Sequence, residues 1–212
     1  MKQDPRVKLY NHWAASYDRQ IETGSAPISF EGYDQVLDEV LTLAQPIEGM
    51  KILDVGTGTG NLAARFLDSG CEVWGMDFSA EMLARAKAKL PNLHIVKANI
   101  NNKVWPKDFD RCFDRVVSAY ALHAFDLQTK IRLLTRIFEK YLSLNGQIVI
   151  ADIAYRNQNA RAQAQVYWGR LWSDDDYYWS ADETISACRN VQLTCDYHQV
   201  SSCAGVFVIK KL

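Results

Sequence analysis

The chain lacks a long apolar run. Nowhere in its 212 residues do the roughly 20 consecutive apolar residues of a bilayer span occur, so no membrane association is expected. It also lacks a surplus of one charge. With 24 Lys and Arg against 25 Asp and Glu, net −1, neither nucleic acid nor an anionic lipid surface is expected as a partner. No C-x-x-C pair occurs among the five cysteines (Cys71, Cys112, Cys188, Cys195 and Cys203), which are scattered and odd in number. They read as reduced thiols with structural rather than catalytic roles. No metal site is expected either, and the acidic run Asp174-Asp175-Asp176 reads as a solvated loop. The opening Met1-Lys2-Gln3-Asp4-Pro5 has no apolar signal core, so a cytoplasmic location is expected. There is no internal repeat, low-complexity tract or linker, which predicts one domain over 1–212.

What is present alternates between strand and helix. Helical spacing over Gly32 to Leu43 is followed by a short apolar strand, Lys51 to Val55. A helix over Asn61 to Ser69 closes at Gly70. Strands are predicted at Glu72 to Met76, His94 to Ala98, Phe113 to Ser118 and Gln147 to Ala151. Helices lie between them, one capped by Ser79 and one over Lys130 to Leu142, and Asn145-Gly146 reads as a tight turn. Later come a helix over Asn157 to Trp172, a helix from Ser180 to Arg189, and strands near Leu193 to Val200 and Val206 to Lys210 joined by a short link. Alternating units ending in a hairpin predict an α/β fold. The expectation is a Rossmann-like three-layer sandwich around a mostly parallel seven-stranded sheet with a C-terminal antiparallel hairpin strand.

In such sheets ligands bind beyond the carboxyl ends of the strands, where strand order reverses. The first strand runs into Asp54-Val55-Gly56-Thr57-Gly58-Thr59-Gly60-Asn61. Glycine permits close approach of backbone to ligand. A P-loop requires lysine after its last glycine, and Asn61 stands there instead. A dinucleotide loop, G-x-G-x-x-G, read from Gly56 and Gly58 needs glycine where Asn61 stands. Read from Gly58 and Gly60, it meets Ala63, which some variants allow, so NAD is weakened rather than excluded. Asp54 also disfavours a pyrophosphate and favours a cation.

These residues resemble the first motif of the class I S-adenosylmethionine-dependent methyltransferases, an acidic residue followed by x-G-x-G-x-G. The resemblance extends over most of the chain. Asp77, after Val73-Trp74-Gly75-Met76, matches the acidic residue that accepts from the ribose hydroxyls. Met76 and Phe78 fall where adenine is enclosed, and Asn99 stands where the family often has aspartate. Ser118, Ala119 and Tyr120 match the segment that passes the methionine part of the cofactor. Trp13-Ala14-Ala15-Ser16-Tyr17-Asp18 is similar to the W-A-x-x-Y-D entry segment of small-molecule members, in which the tyrosine lies over the cofactor. The overall pattern is similar to small bacterial members of the group. The resemblance implies S-adenosylmethionine as methyl donor, bound by Tyr17, Asp54, Gly56, Thr57, Gly58, Gly60, Asn61, Asp77, Phe78, Met82, Asn99, Ile100, Ser118, Ala119 and Tyr120.

Methyl transfer needs alignment more than acid–base chemistry, and the family has no fixed catalytic residue. His123, Tyr120 and Tyr17 are the candidates, and Asp152 at the end of the fifth strand is ambiguous. Two segments are expected to cap the site: 1–45 at the N-terminus and 153–190, rich in Tyr155, Tyr167, Trp168, Trp172, Tyr177, Tyr178 and Trp179. Half or fewer of these rings are expected to touch substrate. No N-P-P-Y motif, Pro-Cys nucleophile, two-glutamate loop or catechol-type metal carboxylates accompany the cofactor pattern. The expectation is an O-, N- or S-methyltransferase of a small molecule, monomeric or homodimeric. Two rivals stay open: an NAD(P)-dependent oxidoreductase, and an S-adenosylmethionine-binding protein without transfer.

Overall fold

The computed structural model describes residues 11–23, 30–110 and 113–212. Met1 to Pro5 and Cys112 lie outside the described residues. The sheet is built from β1 (Lys51–Val55), β2 (Glu72–Asp77), β3 (His94–Lys97), β4 (Phe113–Ala119), β5 (Leu142–Tyr155), β7 (Leu193–Gln199) and β8 (Ala204–Lys211), with a two-residue strand, β6 (Trp179–Ser180), beside the end of β5. Strand order is β3-β2-β1-β4-β5-β8-β7. The first five strands are mutually parallel, and β8 inserts antiparallel between β5 and β7. The mostly parallel sheet and the terminal hairpin are as expected.

Burial on both faces explains the continuous apolar strands. Successive residues supply opposite cores. Leu53, Val116, Ile148 and Ile150 pack in one, with Leu134 and Ile137 of the helix Leu127–Lys140 and Cys188 of the helix Ala181–Asn190. Ile52, Val117, Val149 and Ala151 pack in the other, with Val36 and Leu37 of the helix Tyr33–Ala44 and Leu62 and Phe66 of the helix Asn61–Asp68. The result is helix, sheet and helix.

Four local features depart from the sequence reading. Asn145-Gly146 is not a turn but part of β5. Pairing with β4 jumps from Phe113–Leu142 to Arg115–Gln147, so extra residues bulge out of one long strand. The following helix starts at Leu127, earlier than Lys130, because Asp126 accepts from the Thr129 N–H at 2.7 Å and caps it. The helix Gln158–Trp168 stops short of Trp172 at Gly169, whose φ of 51° ends the helical path. The strand β6 was not anticipated, since two residues carry no periodicity. No helix among the described residues is long and apolar enough to cross a membrane. Cys71, Cys188 and Cys195 are buried free thiols, and Cys203 is buried as well.

Phe207 is fully buried on β8, with its ring 4.9 Å from that of Trp179 and 4.8 Å from that of Tyr197. Phe207→Ala is expected to lower the unfolding free energy by about 3–5 kcal/mol, read by urea denaturation.

Candidate active site at the carboxyl ends of the strands

Strand order reverses between β1 and β4, and the glycine segment leaves β1 there. The backbone N–H groups of Gly56 and Thr57 both donate to the Met76 carbonyl, at 2.7 and 3.1 Å, so the loop is clamped onto the end of β2. Gly56 has φ 78°, and a Cβ on it would lie 2.4 Å from that of Ala121. Only glycine fits there. A Cβ on Gly58 would meet nothing within 4 Å, because this residue faces the cavity.

Two carboxylates stand beneath the loop. Asp54 is buried, and its Oδ2 accepts from Thr57 Oγ1 at 2.7 Å. Its Oδ1 is buried with no partner among the described residues. Burial, reinforced by the nearby charge of Asp77, pushes the Asp54 carboxyl up to about 7. Asp77 ends β2; its Oδ2 accepts from the Gly58 N–H at 3.1 Å and its Oδ1 from the Ser79 N–H at 2.8 Å. Burial raises Asp77 also, against those bonds. Ser79, and not Asp77, caps the next helix, accepting from the Met82 N–H at 3.2 Å.

Above them opens a cavity of about 510 Å³. Tyr17, Asp54, Gly56, Thr57, Gly58, Asn61, Asp77, Phe78, Met82, Asn99, Ile100, Ala119 and Tyr120 all line it, as does His123. Two of the sequence-derived residues do not. Gly60 opens the helix Asn61–Asp68 with φ 85° and turns toward Leu90 and Ala86. Ser118 turns inward and donates to the Val55 carbonyl at 2.7 Å, a bond that ties β4 to β1. The Asn99 amide also serves its own loop, accepting from the Asn101 N–H at 2.9 Å. No Lys or Arg stands on the wall among the described residues, whereas Asp175 and Asp176 do.

The N-terminal segment is fastened to the glycine loop. Asp18 accepts from Thr59 Oγ1 at 2.6 Å, Asn61 Nδ2 at 3.1 Å and Lys89 Nζ at 3.1 Å. This brings an aromatic wall over the cavity. The Tyr17 ring meets Trp13 edge-on at 4.8 Å, and Tyr33 stacks on Tyr120 at 5.5 Å. Tyr120 holds φ 53°, and its hydroxyl is buried with no partner among the described residues. Burial raises that hydroxyl well above its ordinary range, so Tyr120 keeps its proton. Among the later rings only Tyr178 reaches the wall; Tyr167 faces solvent and Trp179 lies in the core.

His123 lines the same cavity as the glycine loop. Its Nδ1 is 2.8 Å from Asp152 Oδ1, and Asp152 is fully buried. Asp152 Oδ1 also accepts from the Ile153 N–H at 2.9 Å, while Oδ2 accepts from the Leu122 N–H at 3.0 Å and Trp179 Nε1 at 3.1 Å. Lys130 lies nearby, 4.1 Å over the Trp179 ring, donating to the Tyr177 carbonyl at 2.5 Å. Burial lowers it to about 8. In sequence Asp152 is ambiguous, and its place at the carboxyl end of a central strand is the one available signal.

Comparison with known proteins agrees with this geometry. Residues 52–143 match the model of a methyltransferase domain. The chain is 34% identical over 161 residues to the uncharacterized methyltransferase YrrT of Bacillus subtilis, covering 74% of this chain and 72% of that one. A relative from Geobacillus thermodenitrificans, also named an uncharacterized methyltransferase, is 31% identical over 204 residues, 91% of each chain. Among solved structures, a complex of DhpI with SAM and HEP shares the fold with a TM-score of 0.72 at 18% identity, covering 97% of this chain and 95% of that one. The chain belongs to the class I S-adenosylmethionine-dependent methyltransferases. It is an enzyme of methyl transfer whose methyl donor is S-adenosylmethionine.

The position of Asp54 has a thermodynamic consequence. Its folded pKa lies above its unfolded value of 3.8. The native state therefore gains relative stability from protonated Asp54 at low pH and loses it as pH rises toward 7. Asp54→Asn removes that loss. It is expected to raise the Tm of the ligand-free protein at pH 8, with the gain shrinking as pH falls toward 4, in calorimetric scans at both ends.

Proposed function

We propose that this enzyme methylates a small-molecule acceptor inside the cavity described above. The observation that carries the donor site is Asp54 Oδ1, a buried carboxyl oxygen without a hydrogen-bond partner among the described residues, near a second buried carboxyl, that of Asp77. Such a site suits a ligand bearing both an ammonium group and hydroxyls. Asp77 would accept from the ribose hydroxyls, and Asp54 with the N–H groups of the glycine loop would hold the amino acid end. Phe78, Met82, Ile100 and Asn99 would enclose adenine, and Ala119 and Tyr120 would pass the methionine part. Tyr17 would set a ring face near the positive sulfur, worth about 0.5–2 kcal/mol. When bound, S-adenosylmethionine supplies a methyl carbon on a cationic sulfur. The residues of this chain orient that carbon toward the acceptor and exclude water.

The small acceptor is supported by volume and lining. A cavity of about 510 Å³ that also holds the donor leaves room for a small molecule and not for a polymer strand. Its lining includes Trp13, Tyr17 and Phe30 from the N-terminal segment and Leu171, Ser173 and Tyr178 from the later one. This supports cap roles for the segments 1–45 and 153–190, of which residues 1–10 and 24–29 lie outside the described residues. Asp175 and Asp176 on the wall favour a neutral or cationic acceptor over an anionic one.

S-adenosylhomocysteine is expected to raise the Tm in thermal-shift assays, and NADH is not. Asp77→Ala should weaken S-adenosylhomocysteine binding by at least about tenfold in calorimetry, since a charge-assisted bond contributes about 1.5–3 kcal/mol. A shift with NADH alone would contradict the donor site.

A further inference from the structure

We propose that His123 is the general base of the transfer, positioned by Asp152, and that the acceptor atom therefore carries a proton that it must lose. The proposal rests on the methyl-transfer reading and names the chemical class of its second substrate: a thiol, a hydroxyl or a primary or secondary amine, as opposed to a thioether or a tertiary amine.

The geometry is that of a dyad. Asp152 is ionised and fully buried, and both its oxygens are occupied: Oδ1 by His123 Nδ1 and the Ile153 N–H, Oδ2 by the Leu122 N–H and Trp179 Nε1. A carboxylate fixed in this way can only accept. It keeps the proton of the imidazole on Nδ1 and leaves the lone pair on Nε2. Nε2 has no hydrogen-bond partner among the described residues, and the imidazole lines the same cavity as Asp54, Asp77 and Tyr17. The ring is held from the backbone as well, because the His123 carbonyl accepts from the Tyr177 N–H at 2.7 Å.

The step balances without a co-reactant. As the acceptor atom forms its bond to the methyl carbon, the carbon–sulfur bond breaks and its electron pair stays on sulfur. The proton of the acceptor passes to Nε2, and the imidazolium then releases it to solvent. Asp152 stabilises that imidazolium and is not itself protonated.

The charged groups facing the ring are Asp152 from β5, Asp176 from the loop before β6, and Lys130 from the helix Leu127–Lys140. Burial and Lys130 oppose a charge on His123. Asp152 and Asp176 favour it, and the balance holds the imidazole above its ordinary value. The base is therefore fully available only on the alkaline side of about 6.5, and the rate rises with pH through the His123 titration.

The test uses ¹⁵N-labelled full-length protein with S-adenosylhomocysteine bound. In NMR titration the neutral His123 ring is expected in the Nδ1–H form, with its titration above 6.5. In Asp152→Asn the side-chain amide can donate to Nδ1, so the ring should change to the Nε2–H form and titrate lower. A neutral ring in the Nε2–H form in the wild type, or a titration unmoved by Asp152→Asn, overturns the proposal. With S-adenosylmethionine as donor, benzenethiol, phenol, aniline and dimethyl sulfide serve as probe acceptors. His123→Gln should lower transfer to the protic probes by about 10²–10⁴-fold while S-adenosylhomocysteine affinity stays within about twofold. Equal transfer by wild type and His123→Gln, or methylation of dimethyl sulfide alone, also overturns it. Absence of S-adenosylhomocysteine binding by the wild type would instead sink the donor site, so the two failures are told apart.

Discussion

The structure depends on one constraint, the burial of Asp54 and Asp77 at the ends of two adjacent parallel strands with no cation opposite them on the described wall. Parallel pairing sets Asp54 beside Gly75 and Val55 beside Met76, which brings the carboxyl ends of the two strands together. The Met76 carbonyl then captures two N–H groups of the glycine loop, and Asp77 captures a third. The loop is therefore held against the carboxylates, which are buried yet line the cavity. A native state arranged like this gives up stability at neutral pH, and a cationic ligand restores it.

The part of the site around His123 depends on the long strand β5 and its neighbours. β5 runs for 14 residues, long enough to carry Asp152 past the end of β4. Its far edge is covered by β8, and its last two residues pair with β6. That short pairing sets Trp179 against Asp152, so the indole N–H reaches the carboxylate while the ring packs on Phe207. The β2–β1 edge of the switch point thus builds the donor site, and the parallel pairing of β5 with β4 and β6 positions His123 and Asp152.

What could be read in the sequence divides along the same line. The donor half is local: Asp54, Gly56 and Gly58 stand where the first strand ends at the expected switch point, and Asp77 ends the second strand, where the family resemblance places an acidic residue. The bulge at Asn145-Gly146 was not legible, because an Asn-Gly pair carries the same local preference in a turn and in a strand that folds out of register. Gly60 and Ser118 were read as wall residues from motif position, whereas their direction is set by the packing of Leu90 and by the bond to Val55. Asp152 and His123 lie 29 positions apart, and only the pairing of β5 with β4 and β6 brings them to 2.8 Å. The aromatic residues after Tyr155 were legible as a group but not by direction, so Tyr178 and Trp179, neighbours in sequence, end in the cavity and in the core.

The buried charges around His123 also explain why Lys130 is tolerated in the interior. An isolated ammonium there would cost several kcal/mol. Lys130 instead meets the Tyr177 carbonyl and the face of Trp179, two groups fixed by the same β6 pairing that holds Asp152. With Asp152 ionised, the cation compensates its charge across the indole. A proton added to His123 would then place a second positive charge beside one carboxylate, and Asp176 at the cavity wall supplies the further negative charge that this state requires. The acidic run that reads as a solvated loop in the sequence therefore contributes one of its members to the electrostatics of the site, and it does so because the loop is anchored at Tyr177 on both sides, by its N–H to His123 and by its carbonyl to Lys130.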